Sequence, residues 1–168
     1  MDIVDAHHHL WDRGRFRYSW LQQAPAIDRD YLLHDYESVI ASSGVVQSVH
    51  VQADVDEQWA LQETNWLLSM ADGAGPVTAV VGWAPVERQE DLEAFLEKQG
   101  DNPRLKGFRR LIQGEEDDGF AAREQVIGGV RRLGAAGFSF DLCIYHHQLS
   151  AVIELARQVP DTPLVLDH

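Results

Sequence analysis

Short apolar runs alternate strictly with longer amphipathic segments along this sequence, and that alternation is its strongest constraint on folding. The runs cover residues 3–8, 45–53, 77–84, 105–111, 138–144 and 163–168. Several are rich in valine and isoleucine and read as strands buried on both faces. Between them, apolar residues at helical spacing predict helices over 35–43, 57–71, 91–99, 120–133 and 148–159. Gly44 and Gly100 supply helix stops, Asp54 or Asp56 an N-cap for the second helix, and Gly128-Gly129 weakens the fourth. Successive strands start about 25 to 45 residues apart, the size of a βαβ unit. Strand and helix in strict order imply an α/β fold with a parallel sheet.

Two closures fit that order, an open doubly wound sheet and a (β/α)8 barrel. No GxGxxG follows the first strand and GxxxxGK[ST] is absent, which removes the phosphate-cradling rationale for an open sheet. Polar residues instead collect at the C-terminal ends of the strands, where barrels place their active sites. Composition narrows the function classes. With 27 acidic against 14 basic residues and a net charge of −13, the chain has no footprint for nucleic acid, and an anionic membrane surface repels it. At 45% hydrophobic and 24% charged residues it is not a disordered chain. The single cysteine, Cys143, excludes an internal disulfide and points to a reducing, cytoplasmic setting. No run approaches a membrane span, and no signal peptide is visible. No linker interrupts the chain, so residues 1–168 read as one domain.

The first strand carries the densest chemistry. Strand alternation puts Asp5, His7 and His9 on one face and Val4, Ala6 and His8 on the other. Two imidazoles at i and i+2 can hold one divalent metal or clamp a carbonyl, and Asp5 is placed to orient one of them. The last strand turns polar at Asp167-His168 and offers a third imidazole. In the fourth strand, adjacent Arg109 and Arg110 point to opposite faces, and spacing does not choose which one faces inward. Gln52 and Trp83 end the second and third strands as pocket-lining candidates, with Trp83 reading first as a core residue and second as a substrate platform. Asp141 in the fifth strand and Tyr145, His146 and His147 after it read as a pocket rim or a solvated loop. Cys143 reads as a buried structural thiol, and the run from Glu115 to Asp118 as a solvated loop.

Taken together, these segments resemble the amidohydrolase superfamily, and within it the lactonase-like branch. The resemblance rests on Asp5-Ala6-His7-His8-His9-Leu10-Trp11-Asp12, Val81-Gly82-Trp83, Gly107-Phe108-Arg109, Phe140-Asp141-Leu142-Cys143 with His147-Gln148-Leu149, and Val165-Leu166-Asp167-His168. It implies a TIM (β/α)8 barrel whose members open lactones, often sugar-acid lactones, by attack of water on the ester carbonyl. It implies catalytic roles for His7, His9, Arg109 and His168, with Arg109 rather than Arg110 facing substrate. It makes His7, His9 and His168 the ligand set where a divalent metal, zinc or manganese, is used; some members work without metal. Related branches include metal-dependent decarboxylases, and a non-catalytic binding or assembly module is the reading from outside enzymology.

The resemblance also turns the length into an expectation. A (β/α)8 barrel takes about 250 residues, and this sequence provides six strands. The expected fold is therefore a barrel truncated after the sixth strand, lacking the later aspartate that acts on the attacking water, and weakly active or inactive alone. The partner expected is a small lactone, with association between copies as a second way to cover open strand edges.

Overall fold

Each apolar run becomes a strand, and each amphipathic segment the helix that covers it. The computed structural model describes residues 1–168. Its elements are β1 (Ile3–His8), α1 (Leu33–Ile40), β2 (Val45–Val51), α2 (Ala60–Ala71), β3 (Val77–Trp83), α3 (Gln89–Gln99), β4 (Leu105–Arg109), α4 (Glu124–Ala135), β5 (Ser139–Leu142), α5 (Leu149–Gln158) and β6 (Leu164–Leu166). Strand order follows the chain, β1-β2-β3-β4-β5-β6. The β1–β2, β2–β3, β4–β5 and β5–β6 ladders are parallel. This is the order of the first six strands of a (β/α)8 barrel, as expected. No helix is long and apolar enough to cross a membrane.

The chain divides into two compact units, Met1–Gly82 with Asn102–Leu105, and Trp83–Asp101 with Lys106–His168. In the first, Val77, Val80 and Val81 of β3 are buried, as are Leu67, Leu68 and Ala71 of α2. In the second, Phe108 and Phe140 are wholly buried together with Val130 and Leu133 of α4 and Leu155 of α5. Trp83, Phe95, Phe108 and Phe138 form a chain of edge-on aromatic contacts through this layer.

The structure corrects several local expectations. Burial on both faces holds largely for β3, β4 and β5. In β1 and β6, Val4, Val165 and Leu166 remain half exposed, because each of these strands has a neighbour on one side only. Asp56 does not cap a helix; its carboxylate accepts the backbone N–H and hydroxyl of Ser19, both at 2.8 Å. The first helix starts earlier than predicted because the Asp35 carboxylate reaches back to accept the Leu32 N–H at 2.8 Å, closing the first turn from the N3 position. The fourth breaks into a short 3-10 turn at Phe120–Ala122 followed by α4.

The glycine pair in α4 has a packing role. A Cβ on Gly129 would sit 1.9 Å from the Val86 carbonyl oxygen. Only glycine lets the helix approach the backbone ahead of α3 this closely, so the propensity lost there is exchanged for contact.

β1 contains the most consequential irregularity. Its register with β2 slips between Asp5 and His8, three residues on β1 matching two on β2. An extra residue in a strand breaks the alternation of faces. Asp5 and His8, expected on opposite sides, both reach Tyr36 of α1. The Tyr36 hydroxyl donates to Asp5 Oδ2 at 2.9 Å, and the His8 ring stacks on the Tyr36 ring at 4.0 Å.

Candidate active site

The C-terminal end of β1 brings His7 and His9 together. Their Nε2 atoms lie 3.1 Å apart. His9 Nδ1 is 2.7 Å from the Val51 carbonyl oxygen. A carbonyl only accepts, so Nδ1 carries the proton and donates, and Nε2 keeps its lone pair. The next turn is fixed by the same strand of the sheet: the Leu10 N–H donates to His50 Nε2 at 2.7 Å, with His50 fully buried. Two successive residues of β2, His50 and Val51, thus hold the end of β1 in place. Two nitrogens bound to one tetrahedral zinc at about 2.0–2.1 Å are separated by roughly 3.3 Å, so the observed spacing fits a shared metal. In the absence of one, His7 Nε2–H donates to His9.

Asp5, expected to orient an imidazole, contacts no histidine ring. Its Oδ1 accepts the His7 backbone N–H at 3.2 Å and its Oδ2 the Tyr36 hydroxyl. The register slip turns it toward α1. Burial there pushes the Tyr36 hydroxyl up to about 12. His8 lies on the same side, only 9% exposed, with no hydrogen-bond partner at either ring nitrogen. Burial lowers its pKa to about 4, with the Asp5 charge opposing and His7 adding to the fall.

Gln52 ends β2 fully buried, its Oε1 accepting the Asp54 N–H, and Asp54 takes a positive φ of 55° to allow this. Trp83 ends β3 only 7% exposed, its ring against Phe95 of α3 and within 5.9 Å of the Arg88 guanidinium.

The second unit assembles charge where the first assembles imidazoles. Arg109 Nη1 donates to Asp167 Oδ2 at 2.8 Å, the side chains 4% and 2% exposed. Arg110 turns the other way, pairing with Glu87 and Glu115. Alternation thus separates the two arginines. Asp141 stands directly across the ladder from Arg109 and is 4% exposed, so it is neither rim nor solvated loop. Its carboxylate lies 3.5 Å from the Ser139 hydroxyl. Burial raises its pKa to about 6 and the Asp167 charge adds to this, while Arg109 and Ser139 oppose. Past β6 the backbone remains paired, Asp167 N–H donating to Leu142 O and Ile144 N–H to His168 O, each at 3.2 Å. His168 is therefore held at the strand end with its side chain exposed.

The remaining candidates lie elsewhere. His147 is exposed, 3.3 Å from Asp118. Cys143 is buried. The acidic run is partly spent on arginines, Glu115 on Arg110 and Asp117 on Arg123. A cavity of about 610 Å³ lies between α3 and α4 around the Glu93–Arg132 pair. No histidine lines it, so the chemistry of the side chains outweighs its size. Sequence reasoning missed the anchoring role of His50 and the burial of Asp141. The second had a signal, since Arg109 and Asp141 end comparable strand segments.

These parallel strands with polar residues at their C-terminal ends define an α/β enzyme-like fold. The family profile for amidohydrolases matches residues 4–168, and the chain belongs to that family. Its similarity runs to the lactonase-like branch. It is 30% identical over 166 residues to L-fucono-1,5-lactonase of Burkholderia ambifaria, covering 98% of this chain and 56% of that protein. An uncharacterized protein of Sinorhizobium fredii is 28% identical over 183 residues, covering 99% and 61%. The crystal structure of an amidohydrolase from Burkholderia multivorans with bound zinc superposes with a TM-score of 0.83 at 27% identity, over all of this chain and 58% of that one. The chain thus spans less than two thirds of the length of these relatives.

Proposed function

We propose that the polypeptide is a hydrolase that opens a small sugar-acid lactone. The observation that carries this is the pair of imidazoles on β1, their Nε2 atoms 3.1 Å apart and His9 locked in one tautomer by Val51. The similarity to L-fucono-1,5-lactonase supplies the substrate class. His7 and His9 would hold a divalent metal, and the family resemblance names His168 as a further ligand. Such an ion, when bound, polarises an ester carbonyl and acidifies a water.

The chain's own residues do the rest. Arg109, paired with Asp167, serves as a hydrogen-bond donor to the lactone carbonyl oxygen, where negative charge develops as water adds and the ring C–O bond then breaks. A preorganised donor of this kind is worth about 10²–10³ in rate. Gln52 at the end of β2 is assigned to substrate contact, and so is Trp83 at the end of β3. Asp141, Asp167 and the ladder hydrogen bonds keep Arg109 in place.

Calorimetric zinc titration tests the metal arm. His9→Ala is expected to weaken zinc binding at least 100-fold, whereas unchanged binding would remove the imidazoles from the reading. Proton release on a panel of hexono- and deoxyhexonolactones tests the reaction, and carbon dioxide evolution from a carboxylated substrate without lactone opening would replace it with decarboxylation.

A further inference from the structure

Backbone does not make the last rung expected between β1 and β2. The two strands are matched at His8 and His50. The Gln52 N–H donates to Val81 O on β3, so alternation turns the Val51 peptide groups toward β1. A parallel ladder continued from the matched pair would bond the Leu10 N–H to the Val51 carbonyl. Two histidine side chains take the ends of that bond instead. The Leu10 N–H donates to His50 Nε2 at 2.7 Å, and the Val51 carbonyl accepts from His9 Nδ1 at 2.7 Å. The Ala53 carbonyl, two residues on, likewise accepts a ring N–H, from Trp20 at 2.9 Å. Side chains thus replace backbone along this edge of β2 where β1 leaves it.

The exchange needs a buried acceptor for the Leu10 N–H. Leu10 is 2% exposed and His50 wholly buried, and a buried N–H without a partner is costly. An amide N–H only donates, so His50 Nε2 carries the lone pair and Nδ1 the proton. Without that lone pair the Leu10 N–H would fall back on the Val51 carbonyl, the acceptor that holds the His9 proton on Nδ1. His50 meets the His9 ring only edge-on, with centroids 6.4 Å apart, so its route to His9 runs through Leu10 and Val51. We propose that His50 is a positioning residue: by taking the Leu10 N–H it reserves the Val51 carbonyl for His9, and so fixes the tautomer in which His9 Nε2 keeps its lone pair for a divalent cation. The cation step rests on the lactone reading; the control of the tautomer does not.

The test is nitrogen NMR of the histidine rings in the zinc-free chain at mildly alkaline pH, with calorimetric zinc titration beside it. In His50→Leu, His9 should lose its Nδ1–H signature and zinc affinity should fall about 10- to 100-fold. His50→Gln offers the Leu10 N–H an amide oxygen, so it should keep the wild-type tautomer and bind zinc within about threefold of wild type. A carbonyl able to serve both donors would leave His9 unmoved in His50→Leu, and that result overturns the proposal. So does an equal loss of affinity in both variants, which is the mark of packing alone. The unaltered chain decides the matter if His50→Leu does not fold. Scalar coupling from the Leu10 amide nitrogen to His50 Nε2 is expected, and coupling of Leu10 to the Val51 carbonyl in its place overturns the proposal. A wild-type chain that takes up no zinc removes the metal from the lactone reading, while the His9 tautomer, read without metal, still judges the role of His50.

Discussion

The ends of β1 and of β4–β6 solve the same problem in opposite ways. At β1, imidazoles are positioned by neutral hydrogen bonds to backbone groups, the Val51 carbonyl and the Leu10 N–H. At β4–β6, a guanidinium is positioned by a buried carboxylate, with a second carboxylate alongside. The first arrangement leaves lone pairs and little charge, which suits binding a cation. The second balances charge internally, which holds the guanidinium in one place. Each region also buries one ionisable residue that burial pushes toward its neutral form. His8 does this by losing its proton, Asp141 by keeping one.

The sharpest break in this contrast should come at Asp167. Asp167→Ala withdraws the carboxylate from a buried guanidinium, and loss of one partner of such a pair costs about 3–5 kcal/mol. An unfolding free energy, extrapolated from urea titration, that falls by less than a third of that would mean the pair adds little to holding the second unit together.

His8 comes next. Its pKa falls from 6.5 unfolded to about 4 folded. A depressed folded value means the stability is present above pH 6.5 and lost as pH falls toward 4. The amount is on the order of 3 kcal/mol. His8→Phe keeps the stack on Tyr36 and should abolish this loss, so its urea midpoint should vary less than wild type between pH 7 and pH 4.5. An unchanged acid slope would place the titration elsewhere.

Asp141 should show the opposite slope and the smallest effect. Its folded pKa is raised from 3.8 to about 6. The fold therefore favours the protonated form, and stability present below pH 4 is lost as pH rises through 6. Asp141→Asn fixes a neutral group of the same shape and should be more stable than wild type at pH 7.5 by on the order of 2 kcal/mol. At pH 4 the two should nearly coincide. A variant less stable at pH 7.5 would show the Asp141 charge to be compensated.

Strand and helix order was legible because it rests on composition and period. All six apolar runs contain the strands, and the stop at Gly100 caps α3 where φ turns positive, whereas α1 ends at Ile40, four residues ahead of Gly44. His7 and His9 sharing one side was legible for the same reason. What escaped depended on a single residue's register or on distant partners. The role of Asp5 changed because of one extra residue in β1. The segment between β1 and α1 has no period at all. It is tied down by long-range aromatic donors, Trp11 to Arg29 O, Trp20 to Ala53 O and Tyr18 to Glu63. Nothing local announces such bonds. The family profile, the superposition and the shared lactonase similarity match the expected family and fold, while the roles of Gln52 and Trp83 await direct tests.

The slip in β1 also divides three consecutive histidines into two heritable categories. On the proposed reading His7 and His9 are fixed by what a nitrogen lone pair can do, so few exchanges should pass a screen for zinc uptake. His8 contributes a flat surface against Tyr36 and no hydrogen bond, so a saturation library there should return other planar rings among its survivors. A codon inserted or deleted between positions 5 and 8 would trade these categories, placing a packing residue where the proposed metal ligand stands. This short stretch should therefore tolerate changes of letter at its centre far better than changes of length.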